Sequence, residues 1–389
     1  MTASTGDTFG HVTAEADARQ LPTPLAPELP PDLETPALVI DLDIVERNAA
    51  RMAQAMAERG VALRPHVKTH KSVALARIQL DHGARGITVG TLGEAEVMAD
   101  GGIDDIFLAY PLWAVGDKAR RLRALVERRG FTFAVAADSA EGARRLVEAM
   151  SGSSARLRVL IDIDPHYGRT GVAAQRAGEL GRSLQDMGLE VIGAFTHGGH
   201  SYLQPDAGAR AAADEVEVLT HAAEALRAKG IEPTVLSAGS SPTAVAAARA
   251  PVTEMRPGTY LIGDRLQVAV GASPPDGVAI AVAATVVSTA VAGQVVIDAG
   301  AKTLTKDLPP YLAGYGTLPA YPDGILERVS DYHGQVRFPE GARMPQLGEI
   351  VAVVPNHACP VIDLHDKFIA TRSGATVGRW RVDARGRSG

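Results

Sequence analysis

ALRPHVKTHKS, residues 62–72, opens as a short apolar run and breaks into a basic cluster within a few positions. Read as a β-strand, it delivers Lys68 and its neighbours to the strand's carboxyl end, where parallel α/β proteins gather reactive side chains. Further β-rich runs recur at GITVG (86–90), DIFLAY (105–110), FTFAVA (131–136), LRVLIDID (157–164), VIGAFTH (191–197), TVLSAG (234–239) and EMRPGTY (254–260). Stretches of helical length separate most of them, including one starting at Leu92 and an alanine-rich segment over 206–229. Eight such units predict an α/β fold of the (β/α)8, TIM-like barrel kind. A doubly wound sheet alternates similarly, but no GxGxxG stands in the first βα turn.

Upstream of this pattern, ALVIDL (37–42) reads as one more strand, followed by a helix whose Asp43 and Glu46 have capping-box spacing. Residues 1–34 include the proline-rich LPTPLAPELPP and show no apolar periodicity, so they are expected to form a flexible arm able to pack on a neighbour. Downstream, from about residue 275, long helices give way to AVAATVVSTA, GQVVIDAG, GILERVS, EIVAVVP and FIATRSGATVGRWRV. The expected division is an arm (1–34), a barrel (35–270) and a C-terminal β domain (271–389).

Composition narrows the function. A net charge of -6 argues against a dedicated nucleic-acid binder. No apolar run reaches the roughly 18 residues of a membrane helix, no basic-then-apolar leader stands at the start, and Cys359 is alone, so a cytoplasmic protein is expected.

The strand ends carry the candidate chemistry. Lys68 lies among Arg64, His66, His70 and Lys71, and neighbouring cations make a neutral amine more available. An isolated lysine in such a loop is usually a solvated charge. Its weight comes from the other strand ends. DIDPHYGRTGV offers His166, Tyr167 and Arg169, the last a fork for a ring atom or carboxylate. THGGHSY leaves room for a ligand beside His200 and Tyr202, with His197 read as a core histidine. SAGSSPT and RPGTY end the seventh and eighth strands, so Gly239, Ser240, Ser241 and Tyr260 stand where barrels commonly bind phosphate. In VPNHACPVIDLHD, His357 and Cys359 are two apart; on an extended strand they would face one side and could share a metal. Two ligands alone fit a buried cysteine beside a hydrogen-bonded histidine at least as well.

TPALVIDLD, RPHVKTHKS, GEAEVMADGGIDDIFLAYP, GRTGV, HGGHSY, SAGSSPT, RPGTY and PNHACPVIDLHD together resemble the D-threonine aldolase and eukaryotic-type D-serine dehydratase family, of alanine-racemase-like fold. The resemblance spans residues 35–385. It implies pyridoxal 5'-phosphate held as a Schiff base by Lys68, with Arg169 near the cofactor ring and Gly239, Ser240 and Tyr260 around the phosphate; from their places at the strand ends, His66 and Tyr202 are expected as further cofactor contacts. It also implies His357 and Cys359 as ligands of a divalent metal. Zinc is the first choice for a thiolate, with manganese or magnesium as alternatives. Strand 37–42 then joins the β domain. The family is homodimeric, with the site between one barrel and the other subunit's β domain.

For a small D-amino acid substrate, the implied reaction is D-serine dehydration to pyruvate and ammonia, because the resembling dehydratases pair histidine with cysteine. The alternative is D-threonine aldolase chemistry, cleaving to glycine and an aldehyde with His200 as base. An amino-acid racemase, or a non-catalytic pyridoxal-phosphate carrier, is more remote: the racemase has no use for His-x-Cys, and the carriers lack the β domain.

Overall fold

The computed structural model describes residues 22–389. The strands β1 (Ala37–Asp41), β2 (Ala62–Leu63), β3 (Ile87–Val89), β4 (Asp105–Pro111), β5 (Thr132–Ala137), β6 (Arg158–Ile163), β7 (Glu190–Thr196), β8 (Val235–Ala238) and β9 (Glu254–Met255) come first in the chain. Of these, β2 to β9 form one parallel sheet in the order β2-β9-β8-β7-β6-β5-β4-β3. Its two ends meet: Arg85 N donates to Leu63 O at 2.8 Å and Thr88 N to Pro65 O at 2.8 Å, so the sheet closes on itself.

Period-two alternation builds two layers from these strands. Phe107, Ala134, Ala136, Leu160, Ile192 and Phe195 fill the barrel interior. Val135, Val159, Ile161 and Ala194, one residue out of phase, pack beneath the surrounding helices. Because β2 is only two residues long, side chains reinforce the seam. Buried Arg64 donates to Glu254 at 2.7 Å and to Asp105 at 2.7 Å, tying β9 and β4 together across it. Loss of one partner from such a buried cluster costs about 3–5 kcal/mol.

The second sheet has nine strands. It contains β10 (Ile280–Ser288), β11 (Gln294–Ile297), β12 (Gly316–Thr317), β13 (Ile325–Val329), β14 (Gly334–Arg337), β15 (Ile350–Pro355), β16 (Lys367–Arg372) and β17 (Ala375–Arg381). The ninth is β1, antiparallel to β10 and parallel to β16. Leu38, Ile40, Val282, Val353 and Phe368 lie in its core. The helix Leu42–Ala57 then crosses to the barrel, and its buried Asn48 donates to Leu261 O (3.0 Å) and Gly277 O (2.8 Å).

Local readings shift in three places. The helix begins at Leu42, so Asp41 caps it, accepting from Asp43 N and Ile44 N. Asp43 and Glu46 are no capping box and instead grip Arg372 from the sheet. The run EMRPGTY is a strand only to Met255, because Pro257 supplies no donor, and Thr259–Leu261 is a 3-10 turn. Of the expected arm, residues 1–21 lie outside the described residues. Residues 22–34 are irregular but packed on their own chain: Leu25 N donates to Pro275 O, and Leu29 and Leu33 cover Val39 and Ala283. Among the described residues no helix is long and apolar enough to cross a membrane.

Candidate active site

The carboxyl ends of the barrel strands open into a cavity of about 780 Å³ whose far wall belongs to the β domain. Lys68, His66, Arg169, Tyr202, Gly239, Ser240, His357 and Cys359 all border it. Lys68 sits in a 3-10 turn, Val67–Thr69, capped by His66, whose Nδ1 accepts from Lys68 N at 3.4 Å. The turn projects the amine into the cavity. Among the described residues Lys68 Nζ has no ion-pair or hydrogen-bond partner. Surrounding protein pulls its pKa below the ordinary lysine range, against the negative charge of Cys359, with Arg169 adding to the depression.

The other barrel-side groups are also basic. Burial, then the charge of Lys68, keeps His66 and His197 well below the ordinary histidine value, so both rings are neutral near pH 7. Arg256 donates to Ser237 Oγ (2.6 Å) and Thr196 O (2.6 Å) and lies over the Phe195 ring. Burial lowers even this guanidinium to about 10. Gly239, at φ +108, admits a close turn that a side chain would resist; an added Cβ would come within 2.6 Å of Met255 Cε. Ser240 Oγ is 3.0 Å from Ser201 Oγ.

On the opposite wall, His357 and Cys359 are not on an extended strand. β15 ends at Pro355, His357 precedes the helix Ala358–Asp363, and Cys359 is in its first turn. The two side chains nevertheless meet across this helix start, which breaks the strand that spacing alone suggested. His357 Nδ1 lies 2.7 Å from Asp307 Oδ2, leaving Nε2 for the Cys359 side. Cys359 Sγ is 3.3 Å from Thr69 Oγ1, next to Lys68. Burial is the largest influence and raises the thiol, but the His357 charge, hydrogen bonds with His357 and Thr69 and the Lys68 charge together outweigh it and leave Cys359 below its usual value. This donor set fits a soft divalent ion: a thiolate, an imidazole oriented through its far nitrogen by a carboxylate, and no third His, Cys, Asp or Glu closing the shell among the described residues. The enclosed cationic wall with its depressed lysine likewise fits an anionic aldehyde cofactor.

Two expected residues fall outside the cavity. The Tyr260 ring turns back into the β-domain core, and its hydroxyl accepts from Gln79 Nε2 at 3.0 Å, because the 3-10 turn reverses its direction. Thr259 and Gly258 face the cavity instead. His200 directs Nε2 to Asp214 at 2.9 Å on the helix Gly208–Ala228 and does not border the cavity. His197, which reads as a core residue, does. Arg256, Gln267 and Asp307 escape the sequence reading. Arg256 alone had a signal, a charge directly after the eighth strand. His357 and Cys359 reach the cavity from the same chain as Lys68.

Residues 40–266 match the family model for the alanine racemase N-terminal domain, and residues 279–371 that for a putative serine dehydratase domain. The chain is 37% identical to D-threo-3-hydroxyaspartate dehydratase of Delftia sp., over 90% of this chain and 97% of that protein. The crystal structure of D-threonine aldolase from Filomicrobium marinum matches with a TM-score of 0.85 at 32% identity, covering 94% of this chain and 100% of that one. Two variants of a D-threo-3-hydroxyaspartate dehydratase match with TM-scores of 0.82 and 0.81 at 36% identity, covering 90% of this chain and 95% and 97% of theirs. One replaces a histidine by alanine; the other replaces a cysteine two positions on and is in the metal-free form.

A closed barrel joined to a β domain that returns to the barrel's mouth defines the alanine-racemase-like class of pyridoxal-phosphate enzymes. Within it, the chain belongs to the family that joins the alanine racemase N-terminal domain to a serine dehydratase domain, among the pyridoxal-phosphate-dependent lyases.

Proposed function

We propose that this protein is a pyridoxal-phosphate- and metal-dependent lyase for 3-hydroxy D-amino acids, removing the β-hydroxyl as water and leaving a keto acid and ammonia. The observation that carries the reading is the 3.3 Å contact between Thr69 and Cys359, which brings the lysine turn and the His-x-Cys pair onto one cavity. Lys68 would hold the cofactor until the substrate's amine displaces it, and the cofactor would then supply an electron sink for the bond broken at Cα. Lys68 Nζ, depressed and unpaired, is the base for the α-proton. Arg169 and Arg256 balance the cofactor's negative charge, while His66 and His197 stay neutral beside it. His357 and Cys359 would hold the metal, with zinc preferred by the thiolate, and it would supply Lewis acidity toward the departing hydroxyl. Asp307 fixes the His357 ring.

Support for dehydration over aldol cleavage is the cysteine of the pair, shared in spacing with the D-threo-3-hydroxyaspartate dehydratase variants. The aldolase reading is favoured by the Filomicrobium match, but its assigned base, His200, is held by Asp214. Substrates to compare are D-serine, 3-hydroxy-D-aspartate and D-threonine, each with the metal-loaded enzyme. Keto acid and ammonia from either of the first two is the expected result. Glycine and acetaldehyde from D-threonine, with no ammonia from any of them, would overturn dehydration. A cytoplasmic homodimer is the proposed setting; gel filtration with light scattering checks the oligomer.

A further inference from the structure

The last residues of the chain are part of the cavity wall. After β17 the backbone leaves the sheet and runs to the barrel. Ala384 N donates to Lys71 O at 2.9 Å, and the Asp383 carboxylate accepts from Val73 N at 2.8 Å, at the start of the helix Val73–Asp81. The segment then crosses to the next βα unit. There Thr91 Oγ1 donates to Arg387 O at 2.6 Å, Gly93 N to Gly389 O at 3.1 Å, and Arg121 to Gly389 O at 3.1 Å, while Arg121 is itself held by Glu96. Held by these anchors, Ser388 and Gly389 border the cavity, as do Leu92, Trp113 and Lys118.

The fit at Gly93 is close: an added Cβ would lie 2.8 Å from Gly389 O and 3.1 Å from Arg387 Cβ. Position 93 thus lets the segment lie flat on the helix Leu92–Asp100. None of the groups in residues 387–389 reaches Lys68, His357 or Cys359 by a hydrogen bond, so the segment shapes space and leaves the chemistry to others.

From this we infer that residues 387–389 are a specificity wall that sets how large a side chain the bound D-amino acid can carry. The inference uses the lyase reading only in choosing hydroxylated substrates, and its test can be run without turnover. The holoenzyme is titrated with D-alanine and D-tryptophan while the cofactor absorbance is followed, for the native chain, Ser388→Trp, Gly93→Val and a chain ended after Gly386. Ser388→Trp intrudes on the cavity and should weaken D-tryptophan about tenfold relative to D-alanine, an ordinary overpacking effect. Ending the chain after Gly386, or displacing the segment with Gly93→Val, should move the ratio the other way. In parallel, KM for 3-phenyl-D-serine should follow these ratios more strongly than KM for D-serine, with kcat for D-serine changing less. Should Gly93→Val fail to fold, the exposed Ser388 position still decides. An unchanged D-tryptophan to D-alanine ratio in Ser388→Trp and the shortened chain would overturn the wall even if lyase activity is found. A shifted ratio with no lyase activity would leave the wall standing and remove the proposed reaction.

Discussion

The two walls of the cavity are built on different principles. On the barrel side, reactive groups stand at the ends of strands whose neighbours are fixed by parallel pairing, and the protein packed around them does the tuning: it depresses His66, His197 and Lys68, although the Lys68 side chain opens onto the cavity. On the β-domain side, His357 and Cys359 hang on one turn of a six-residue helix and are tuned by each other and by Asp307. The first wall is set by architecture, the second by a few hydrogen bonds. The difference says which wall can change chemistry without losing the fold.

The contrast is broken most directly at Lys68. Lys68→Ala should lower kcat/KM by at least about 10⁴-fold and abolish the lysine-bound cofactor absorbance, with little effect on metal content. Cys359→Ala should do the converse, keeping the cofactor absorbance but losing bound metal and about 10²–10³-fold in rate. If either substitution removes both cofactor and metal, the walls are not separable.

The buried support of the barrel wall gives a pH signature. His70 Nε2 donates to Gln79 Oε1 (3.1 Å) while Nδ1 accepts from Ser72 N (3.1 Å), and burial lowers its pKa to about 4. Unfolded, its pKa returns to about 6.5, so between pH 6.5 and 4 the unfolded chain binds more protons. Stability is therefore full above pH 6.5 and falls as pH drops through that window, by on the order of 3 kcal/mol for this group. Denaturant titrations at several pH values should show the slope, and His70→Asn should lessen it. The smallest effect belongs to the metal wall: Asp307→Asn should weaken metal binding about 10–100-fold while sparing the cofactor spectrum, as measured by chelator competition.

Much of the barrel wall was legible because the period-two runs and their interruptions are local. Lys68, Arg169, Gly239 and Ser240 follow from counting strands and looking at their ends. Tyr260 failed because a 3-10 turn reverses a side chain within three residues, a direction no spacing rule records. His200 failed because its partner, Asp214, is on the following helix and turns the ring away from the cavity. Asp307 stands 50 residues from the histidine it orients, and Gly93 nearly 300 from the segment it seats, so neither pairing leaves a periodic trace. The helix start at Ala358 was hidden by a strand that ends just before it.

β1 has a consequence for how the molecule is made. Among the described residues it is the first strand to leave the ribosome, yet its partners begin at residues 280 and 367. At roughly 5–20 residues per second, its first neighbour arrives about 10–50 seconds later. Throughout that interval Leu38, Val39 and Ile40, fully enclosed in the finished protein, have no permanent place to go. The barrel can form around the delay, but the strand cannot, so this short apolar segment is where a nascent-chain chaperone has the longest opportunity to bind.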